Sequence, residues 1–105
     1  MKISDDLQLK LKTLPTQPGV YQLKDAKGKI IYIGKAKNLR NRVRTYFQKS
    51  GRHDPKTQRL MSKVADLELL VTENEIESLI LEANLVHEYK PRYNVALKDD
   101  KHFPY

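Results

Sequence analysis

The sequence predicts a single α+β domain in which a small, mainly antiparallel, three-stranded sheet is flanked by helices. Three short β-prone segments are present, and a turn ending on glycine joins the first two, as in a hairpin. Four other segments repeat apolar residues at the spacing of a helix face. At 105 residues, the chain has the size of one domain with one core.

The first predicted elements are a short helix and the hairpin. Ser4 is a candidate N-cap for the helix, whose apolar residues recur at helical spacing: Leu7, Leu11 and Leu14. The prolines of PTQP then end the helix. Strands are predicted over 19–23 and 29–33, with the turn sequence DAKG between them.

The sequence is compatible with two registers for this hairpin. A two-residue turn at Ala26 and Lys27 sets Tyr21 opposite Tyr32 on one face of the sheet. A three-residue loop with Gly28 in a bulge shifts the register by one residue and separates the two tyrosines.

Three helices and one strand are predicted to follow. Asn38 can cap a helix with one apolar face: Leu39, Val43, Tyr46 and Phe47. The next helix is predicted over 55–65, with an apolar face of Leu60, Met61 and Val64, and a third strand over 67–72. The last helix, over 74–89, is predicted to bury Ile76, Leu79, Ile80, Ala83 and Val86. Pro91 ends it, and an extended tail is predicted over 94–105.

The charge balance indicates a polyanionic partner. Lysine and arginine number 20 against 13 acidic residues, which gives a formal charge of +7 and a pI near 9.6. Such an excess favours nucleic acid, because neutralising phosphates releases their condensed counterions.

Other classes of site are excluded by composition and pattern. The chain has no cysteine, which rules out disulfides and thiolate zinc sites and fits a reducing cytosol. The three histidines, His53, His87 and His102, are isolated in sequence, so no metal motif with several ligands is visible. The sequence also contains no glycine-rich phosphate loop. The first residues lack the apolar core of a signal peptide, and no segment approaches the about 18 apolar residues of a membrane span.

Two candidate site residues emerge from their positions on helices. Arg42 lies one turn from Leu39 and one turn from Tyr46, at the border of the buried face, where a guanidinium would be held in place and suits bidentate phosphate contact. From spacing alone, the alternative that Arg42 is one more surface cation stays open. Glu82 lies among apolar neighbours in LILEANL. A carboxylate there is costly unless something positive meets it.

Two strands each carry a tyrosine in a triad with glycine, Gly19-Val20-Tyr21 and Tyr32-Ile33-Gly34. These triads are weak signals alone, but three longer segments are more specific: YIGKAKNLRNRVRTYF, LILEANLVHEYKPRYNV and LKDDKHFPY. Together they resemble the GIY-YIG nuclease family and, within it, the amino-terminal domain of UvrC from bacterial nucleotide excision repair. The resemblance covers residues 15–105, with valine replacing isoleucine in the first triad. UvrC-like proteins are several times longer, so residues 1–105 resemble one excised domain with the GIY-YIG fold.

The resemblance implies a role for each candidate. Glu82 is the family's metal ligand and would hold one Mg²⁺ or Mn²⁺, and Arg42 would meet the charge that develops on the phosphate. Tyr32 would deprotonate the attacking water or relay its proton, with Lys35 and Arg42 lowering its pKa. Tyr21 would orient that water or bind phosphate, and the two tyrosines could exchange roles.

Further positions also match the family's site. Tyr46 either packs in the core or also presents its hydroxyl, and Asn94 either closes the domain by bonding backbone or shapes the site. Gly34 is expected to keep open the space beside Tyr32. We expect three cations to bind the DNA phosphate backbone: Lys37, Arg40 and Arg44.

The expected activity is therefore metal-dependent endonuclease cleavage of damaged double-stranded DNA, on the 3′ side of the lesion, in the cytoplasm. It would occur within the UvrABC system together with UvrB, and the isolated domain is expected to be a monomer that does not bind membranes. Two alternatives stay open: a nuclease domain of a UvrC homologue or exonuclease fusion, and a non-catalytic basic module that binds nucleic acid.

Overall fold

The computed structural model describes residues 5–47 and 55–94 of the chain. The helices and strands occur in the predicted order: α1 Asp5–Lys12, β1 Gly19–Lys24, β2 Ile30–Ala36, α2 Leu39–Phe47, α3 Pro55–Met61, β3 Asp66–Val71 and α4 Glu75–Tyr89. The three strands form one antiparallel sheet, so the predicted α+β class is confirmed. No helix within these residues has the length and apolar character needed to span a bilayer.

The strand order is β2-β1-β3, which makes β1 the central strand. Residues 19–23 of β1 are all buried, as expected for a strand that is covered on both faces. One face carries Tyr21 and Leu23 and packs in the core with residues from α1, α2 and α3. Because side chains alternate along a strand, Val20 and Gln22 face the other way, and α4 contacts β1 and β2.

The hairpin closes through a three-residue loop over 26–28, in which Gly28 has a positive φ of 81°. The Asp25 N–H donates to the Lys29 carbonyl across the loop at 2.9 Å. Of the two turns compatible with the sequence, this is the longer one, and glycine suits its left-handed backbone.

A second irregularity in the hairpin decides where the tyrosines lie. Leu23 pairs with Tyr32 and Lys24 with Ile30, so Ile31 is an extra residue in β2. This bulge shifts the register by one more residue and returns both tyrosines to one face. Tyr21 lies opposite Gly34, diagonal to Tyr32.

Several element boundaries differ from the predicted ones by a few residues. The first helix ends at Lys12, but Leu14 is still buried beyond it. The third helix ends at Met61, and Val64 is buried in the connection to β3. The second strand runs on to Ala36, three residues past the predicted end. Ser4 and the predicted tail over 95–105 lie outside the described residues.

The predicted buried face of α4 is wrong. Ile76, Leu79 and Ile80 are 69%, 51% and 56% exposed, and Ala83 is exposed as well. The face turned toward the sheet is the one that contains buried Ser78 and the half-buried residues Leu81, Glu82, Leu85 and Val86. This helix is apolar on two faces, and the hydrophobic period alone selected the outer one.

Candidate active site

Three tyrosines from three elements meet on one face of the sheet. Tyr21 comes from β1, Tyr32 from β2 and Tyr46 from α2. Their ring centroids are 6.2 Å apart for Tyr21 and Tyr32, 5.5 Å for Tyr21 and Tyr46, and 6.4 Å for Tyr32 and Tyr46. All three ring pairs are tilted, a favourable arrangement for aromatic contacts.

Arg42 joins this group through the tyrosine hydroxyls. The hydroxyls of Tyr21 and Tyr46 are 3.0 Å apart and share a hydrogen bond. Arg42 donates from Nε to the Tyr21 hydroxyl at 3.4 Å and from Nη2 to the Tyr46 hydroxyl at 3.5 Å. Its guanidinium carbon also lies 5.3 Å from the centre of the Tyr46 ring, within range of a cation–π contact. We call these four residues the tyrosine cluster: Tyr21, Tyr32, Arg42 and Tyr46.

Gly34 provides the space that the Tyr21 side chain fills. A Cβ atom built on Gly34 would collide with the Tyr21 phenol oxygen and with the ring carbon that carries it. Glycine was expected to keep space open beside Tyr32, but Tyr21, its cross-strand partner, occupies that space. Only glycine lets β2 pass beneath the phenol at this point.

The two strand tyrosines are held in the protonated form. Burial raises the pKa of Tyr21 well above its usual value, and the neighbouring tyrosines raise it further. Burial likewise raises the pKa of Tyr32, as do Tyr46 and the charge of Glu82, whereas Arg42 lowers it. Burial and the neighbouring groups raise these two pKa values more than Arg42 lowers them. At neutral pH both phenols are therefore protonated and can donate a hydrogen bond.

Glu82 stands on the side of α4 that faces the sheet and lies close enough to Tyr32 for its charge to raise the pKa of that phenol. Its half-buried carboxylate takes part in none of the ion pairs among residues 5–47 and 55–94. No three or more His, Cys, Asp or Glu side chains in these residues are grouped so that they could hold a metal ion together. A single carboxylate that forms no ion pair in these residues and lies near Tyr32 fits a hydrated magnesium-type ion, which takes one or two carboxylates and keeps several waters.

Asn94 lies beside the outer edge of β2. Its Oδ1 accepts the Ile33 N–H at 2.7 Å, and its Nδ2 donates to the Ile33 carbonyl at 2.7 Å. The side chain is 1% exposed. The Asn94 amide therefore makes the two hydrogen bonds to the edge strand β2 that a neighbouring strand would otherwise make. These bonds fix the β2 backbone between Tyr32 and Gly34.

The remaining candidate cations lie apart from the tyrosine cluster. Lys35 follows Gly34 in β2, so it points to the opposite face, where it lines a cleft with Lys37 and the first turns of α4. Lys37 lies 3.9 Å from the Glu75 carboxylate in a loose, exposed ion pair. Arg40 and Arg44 are exposed on α2.

Sequence reasoning thus selected residues that the fold brings together in the tyrosine cluster, with Glu82 close by. Lys35, which was expected to lower the pKa of Tyr32, instead lies on the opposite face of the sheet.

Sequence reasoning missed the shared hydrogen bond between the Tyr21 and Tyr46 hydroxyls and the packing of Tyr21 on Gly34. The spacing of Arg42 and Tyr46, four residues apart on a helix, was the local signal for part of this arrangement. The contact of Tyr21 with Gly34 depends on the bulge at Ile31, which no residue pattern in the sequence predicted.

Comparison with known proteins gives a consistent result. The family model for the UvrC-like GIY-YIG domain matches residues 17–95. UvrABC system protein C of Moorella thermoacetica is 59% identical over 95% of this chain, and that of Caldanaerobacter subterraneus is 58% identical over 95%. The chain spans 16% of the length of each of these two relatives.

Solved structures match the same domain. The GIY-YIG N-terminal endonuclease domain of UvrC from Thermotoga maritima, bound to its catalytic magnesium, is 43% identical with a TM-score of 0.75. The match covers 88% of this chain and 99% of that domain. Variants of that domain with a tyrosine changed to phenylalanine or an asparagine changed to alanine also hold its catalytic divalent cation. These matches show that the chain belongs to the family of UvrC-like GIY-YIG nuclease domains.

Proposed function

We propose that this chain is a metal-dependent endodeoxyribonuclease domain that hydrolyses one DNA phosphodiester with a single divalent cation held by Glu82. The observation that carries the proposal is the convergence of Arg42, the tyrosine hydroxyls and a carboxylate that forms no ion pair in the described residues. This set can supply charge stabilisation, a proton path and a metal ligand, which together catalyse metal-assisted phosphodiester hydrolysis.

Glu82 is the residue that would hold the cation, which is Mg²⁺ or Mn²⁺. When bound, the cation supplies Lewis-acid stabilisation of charge on the phosphate and the leaving oxygen. The Thermotoga maritima domain binds magnesium, and its variants at a tyrosine or an asparagine keep a cation. Retention of the cation when a tyrosine or an asparagine is changed supports a carboxylate, Glu82, as the ligand in this chain.

Arg42 is proposed to bind the scissile phosphate. Its guanidinium is oriented by the hydroxyls of Tyr21 and Tyr46 and lies over the Tyr46 ring, while the residue itself is exposed to solvent. A guanidinium held in one orientation before substrate arrives does not have to be ordered during the reaction.

Tyr32 is proposed to relay the proton of the attacking water. Because its pKa is raised, the phenol is neutral, and its oxygen accepts a proton from water while its own hydroxyl proton passes to a non-bridging oxygen of the phosphate. The shared hydrogen bond of Tyr21 and Tyr46 makes these residues the orienting pair, with Tyr21 directed at the water or a phosphate oxygen.

Outside the centre, Lys37, Arg40 and Arg44 are proposed to hold the DNA backbone, and Lys35 extends that surface into the cleft beside α4. We propose that the chain is the amino-terminal domain of a longer protein that makes the 3′ incision in damaged double-stranded DNA. This reaction would proceed in the cytoplasm with UvrB in the UvrABC system, and the isolated domain would be a monomer.

Metal binding is tested on the isolated chain by titrating Mn²⁺ and following water-proton relaxation. We expect Glu82→Gln to weaken Mn²⁺ binding by about tenfold or more. Glu88→Gln, which changes an exposed acid of the same helix, serves as the matched control and keeps wild-type affinity. Equal affinity in the two variants would place the cation elsewhere.

Cleavage is tested in a reconstituted UvrABC reaction on a duplex that contains one lesion. We expect Glu82→Gln and Arg42→Ala each to reduce the rate of 3′ incision by about 100-fold or more, with DNA binding retained. A non-catalytic basic module gives the opposite pattern, in which Glu82→Gln cuts normally and a double reversal, Arg40→Glu with Arg44→Glu, abolishes binding.

A further inference from the structure

Three cations from separate segments of the chain meet at one pocket beside the edge strand β2. Lys29 directly precedes β2, Lys63 lies between α3 and β3, and Arg92 follows α4. Ile31 and Tyr93, which are both buried in the core, also line this pocket. We call this cavity of about 240 Å³ the β2-edge pocket, and its lining residues are Asp25, Lys29, Ile31, Lys63, Arg92 and Tyr93.

The β2-edge pocket carries an excess of positive charge. Its lining contains one acid, Asp25, whose Oδ1 accepts the N–H groups of Lys27 and Lys29 at 2.9 and 3.0 Å and so closes the hairpin loop. In the part of the chain that the structure describes, no ion pair includes Lys29, Lys63 or Arg92. Cations brought together in this way repel one another, and an anion in the pocket would relieve the repulsion.

The cations of the pocket stand on well-fixed parts of the fold. The guanidinium carbon of Arg92 lies 5.7 Å from the centre of the Tyr93 ring, within range of a cation–π contact. Tyr93 is buried, and the next residue, Asn94, is bonded to the backbone of Ile33. The N–H and carbonyl of Lys29 are both hydrogen-bonded within the hairpin loop. A guanidinium binds phosphate oxygens in pairs and lysines add point charges, so this set suits a phosphate group.

The β2-edge pocket opens beside the same core as the tyrosine cluster. Ile31 and Tyr32 are neighbours at the bulge, and both pack against the core residues between the sheet and the first three helices. Lys29 and Tyr32 are about 10 Å apart along the strand, at about 3.3 Å per residue. Phosphates of one DNA strand advance about 3.4 Å per nucleotide along the helix axis, so the pocket lies about two to four nucleotides from the tyrosine cluster. Beyond the other end of β2, Lys37 begins the cationic surface already proposed for DNA.

We propose that the β2-edge pocket is a second phosphate-binding site, in which Arg92, Lys63 and Lys29 hold a backbone phosphate of the DNA about two to four nucleotides from the one that is cut. This deepens the proposed function and rests on it, because Arg42 defines where the cut phosphate lies. DNA is favoured over an acidic polypeptide because DNA already has to lie on this face to reach Arg42. Two phosphates held at fixed points would set the direction of the backbone across the sheet.

Binding of a short duplex by the 105-residue chain tests the pocket without cleavage, by fluorescence anisotropy in EDTA at several salt concentrations. We expect Arg92→Gln and Lys63→Gln each to weaken binding by about 3- to 10-fold and to reduce the slope of log affinity against log salt by about 1. Lys27→Gln is the matched control, because it removes the same charge from the exposed hairpin loop outside the pocket. Its affinity should fall by less than about twofold. Arg92→Lys keeps the charge but not the paired donors and should lie between wild type and Arg92→Gln.

The position of the phosphate is tested by incision in the reconstituted UvrABC reaction. In a series of duplexes, one phosphate at a time is replaced by an uncharged methylphosphonate at increasing distance from the cut. Neutralising the phosphate that Arg92 holds should slow the wild-type protein by about 3- to 10-fold and should slow Arg92→Gln little further. Glu82→Gln should bind the duplex in EDTA as wild type does. Failure of the nuclease proposal therefore leaves the binding result intact, and the two failures are distinguishable.

Four results would overturn the proposal. The first is equal affinity of Arg92→Gln and Lys27→Gln for the duplex, and the second is a methylphosphonate effect that is the same in wild type and Arg92→Gln at every position. The third is binding of inorganic phosphate in the pocket with duplex affinity unchanged in both pocket variants, which would make it a site for a free anion. The fourth is a loss of binding to a polyglutamate peptide with duplex binding retained, which would assign the pocket to an acidic protein.

Discussion

At the scale of single residues, the tyrosine cluster depends on the missing side chain of Gly34. Gly34→Ala forces the Tyr21 phenol away from β2 and breaks its hydrogen bonds with Tyr46 and Arg42. We expect a loss of about 1 to 3 kcal/mol in the free energy of unfolding, as for other overpacked sites. Incision should slow by at least about tenfold because Arg42 loses its orientation. Urea unfolding and the incision assay measure the two effects.

Gly28→Ala is the control for Gly34→Ala, because it introduces backbone strain away from the tyrosine cluster. Gly28 has a positive φ, so alanine there costs about 1 kcal/mol, but nothing lies near the added Cβ. This variant should lose stability and cut normally once folded. If Gly34→Ala also cut normally, the arrangement of Tyr21 would be irrelevant to cleavage.

Asn94 is expected to act by positioning β2. Asn94→Ala leaves the N–H and C=O of Ile33 without their side-chain partner, at a cost of about 2 to 4 kcal/mol. The affinity for Mn²⁺ should be unchanged, since Glu82 lies on another element.

Asn94→Asp refines this assignment, because a carboxylate can accept from the Ile33 N–H but cannot donate to the Ile33 carbonyl. Because Asn94 is 1% exposed, the new carboxylate would be a buried charge facing the Ile33 carbonyl oxygen, so Asn94→Asp should lower the free energy of unfolding at least as much as Asn94→Ala, as measured by urea unfolding. The exposed residue Asn84, changed to alanine, is the control. Asn94→Ala with wild-type stability but no metal binding would instead make Asn94 a ligand.

At the scale of elements, α4 carries Glu82, the proposed metal ligand, and is held at its start by Asn74. The Asn74 Oδ1 accepts the Glu77 N–H at 2.8 Å, and the Glu77 carboxylate accepts the Glu73 N–H at 2.9 Å, an arrangement like a capping box. Asn74→Ala should destabilise the protein by about 1 kcal/mol and speed hydrogen exchange in the first turn of α4. Exchange around Glu82, two turns later, should change little. Uniformly faster exchange along α4 would show that the helix unfolds as one unit.

The same helix shows how far sequence predicts this fold. Its existence and its end before Pro91 followed from local rules, because helical periodicity and proline act within a few residues. Its buried face did not, because Leu81 and Leu85 supply a second apolar face with the same period. Which face meets the sheet is decided by long-range packing.

In the hairpin, too, some features that shape the site were predicted from sequence and others were not. The glycine turn and both strands were predicted, but the bulge at Ile31 was not. That single residue puts Tyr21 over Gly34 and brings Tyr32 onto the same face. The resemblance to a known family indicated which residues to expect in the site, and the fold determines how these residues are arranged.

At the scale of the whole molecule, the tyrosine cluster links stability to pH. In the folded protein the pKa values of Tyr21 and Tyr32 both lie above the usual value, with burial as the largest cause for each. In the unfolded chain each phenol titrates near pH 10. Below that pH both states keep these protons, so their stabilising effect is complete and does not vary with pH.

Above about pH 10 the unfolded chain releases protons that the folded protein retains, so the free energy of unfolding falls as pH rises. Each retained proton contributes up to about 1.4 kcal/mol per pH unit. Tyr32→Phe removes one such proton and should make the fall between about pH 10 and 11 less steep, as urea unfolding at several pH values would measure. Tyr89→Phe, which changes an exposed tyrosine, is the control and should keep the wild-type slope. If Tyr32→Phe kept that slope too, Tyr32 would ionise equally in both states, and a phenolate general base would replace the proton relay in the proposed mechanism.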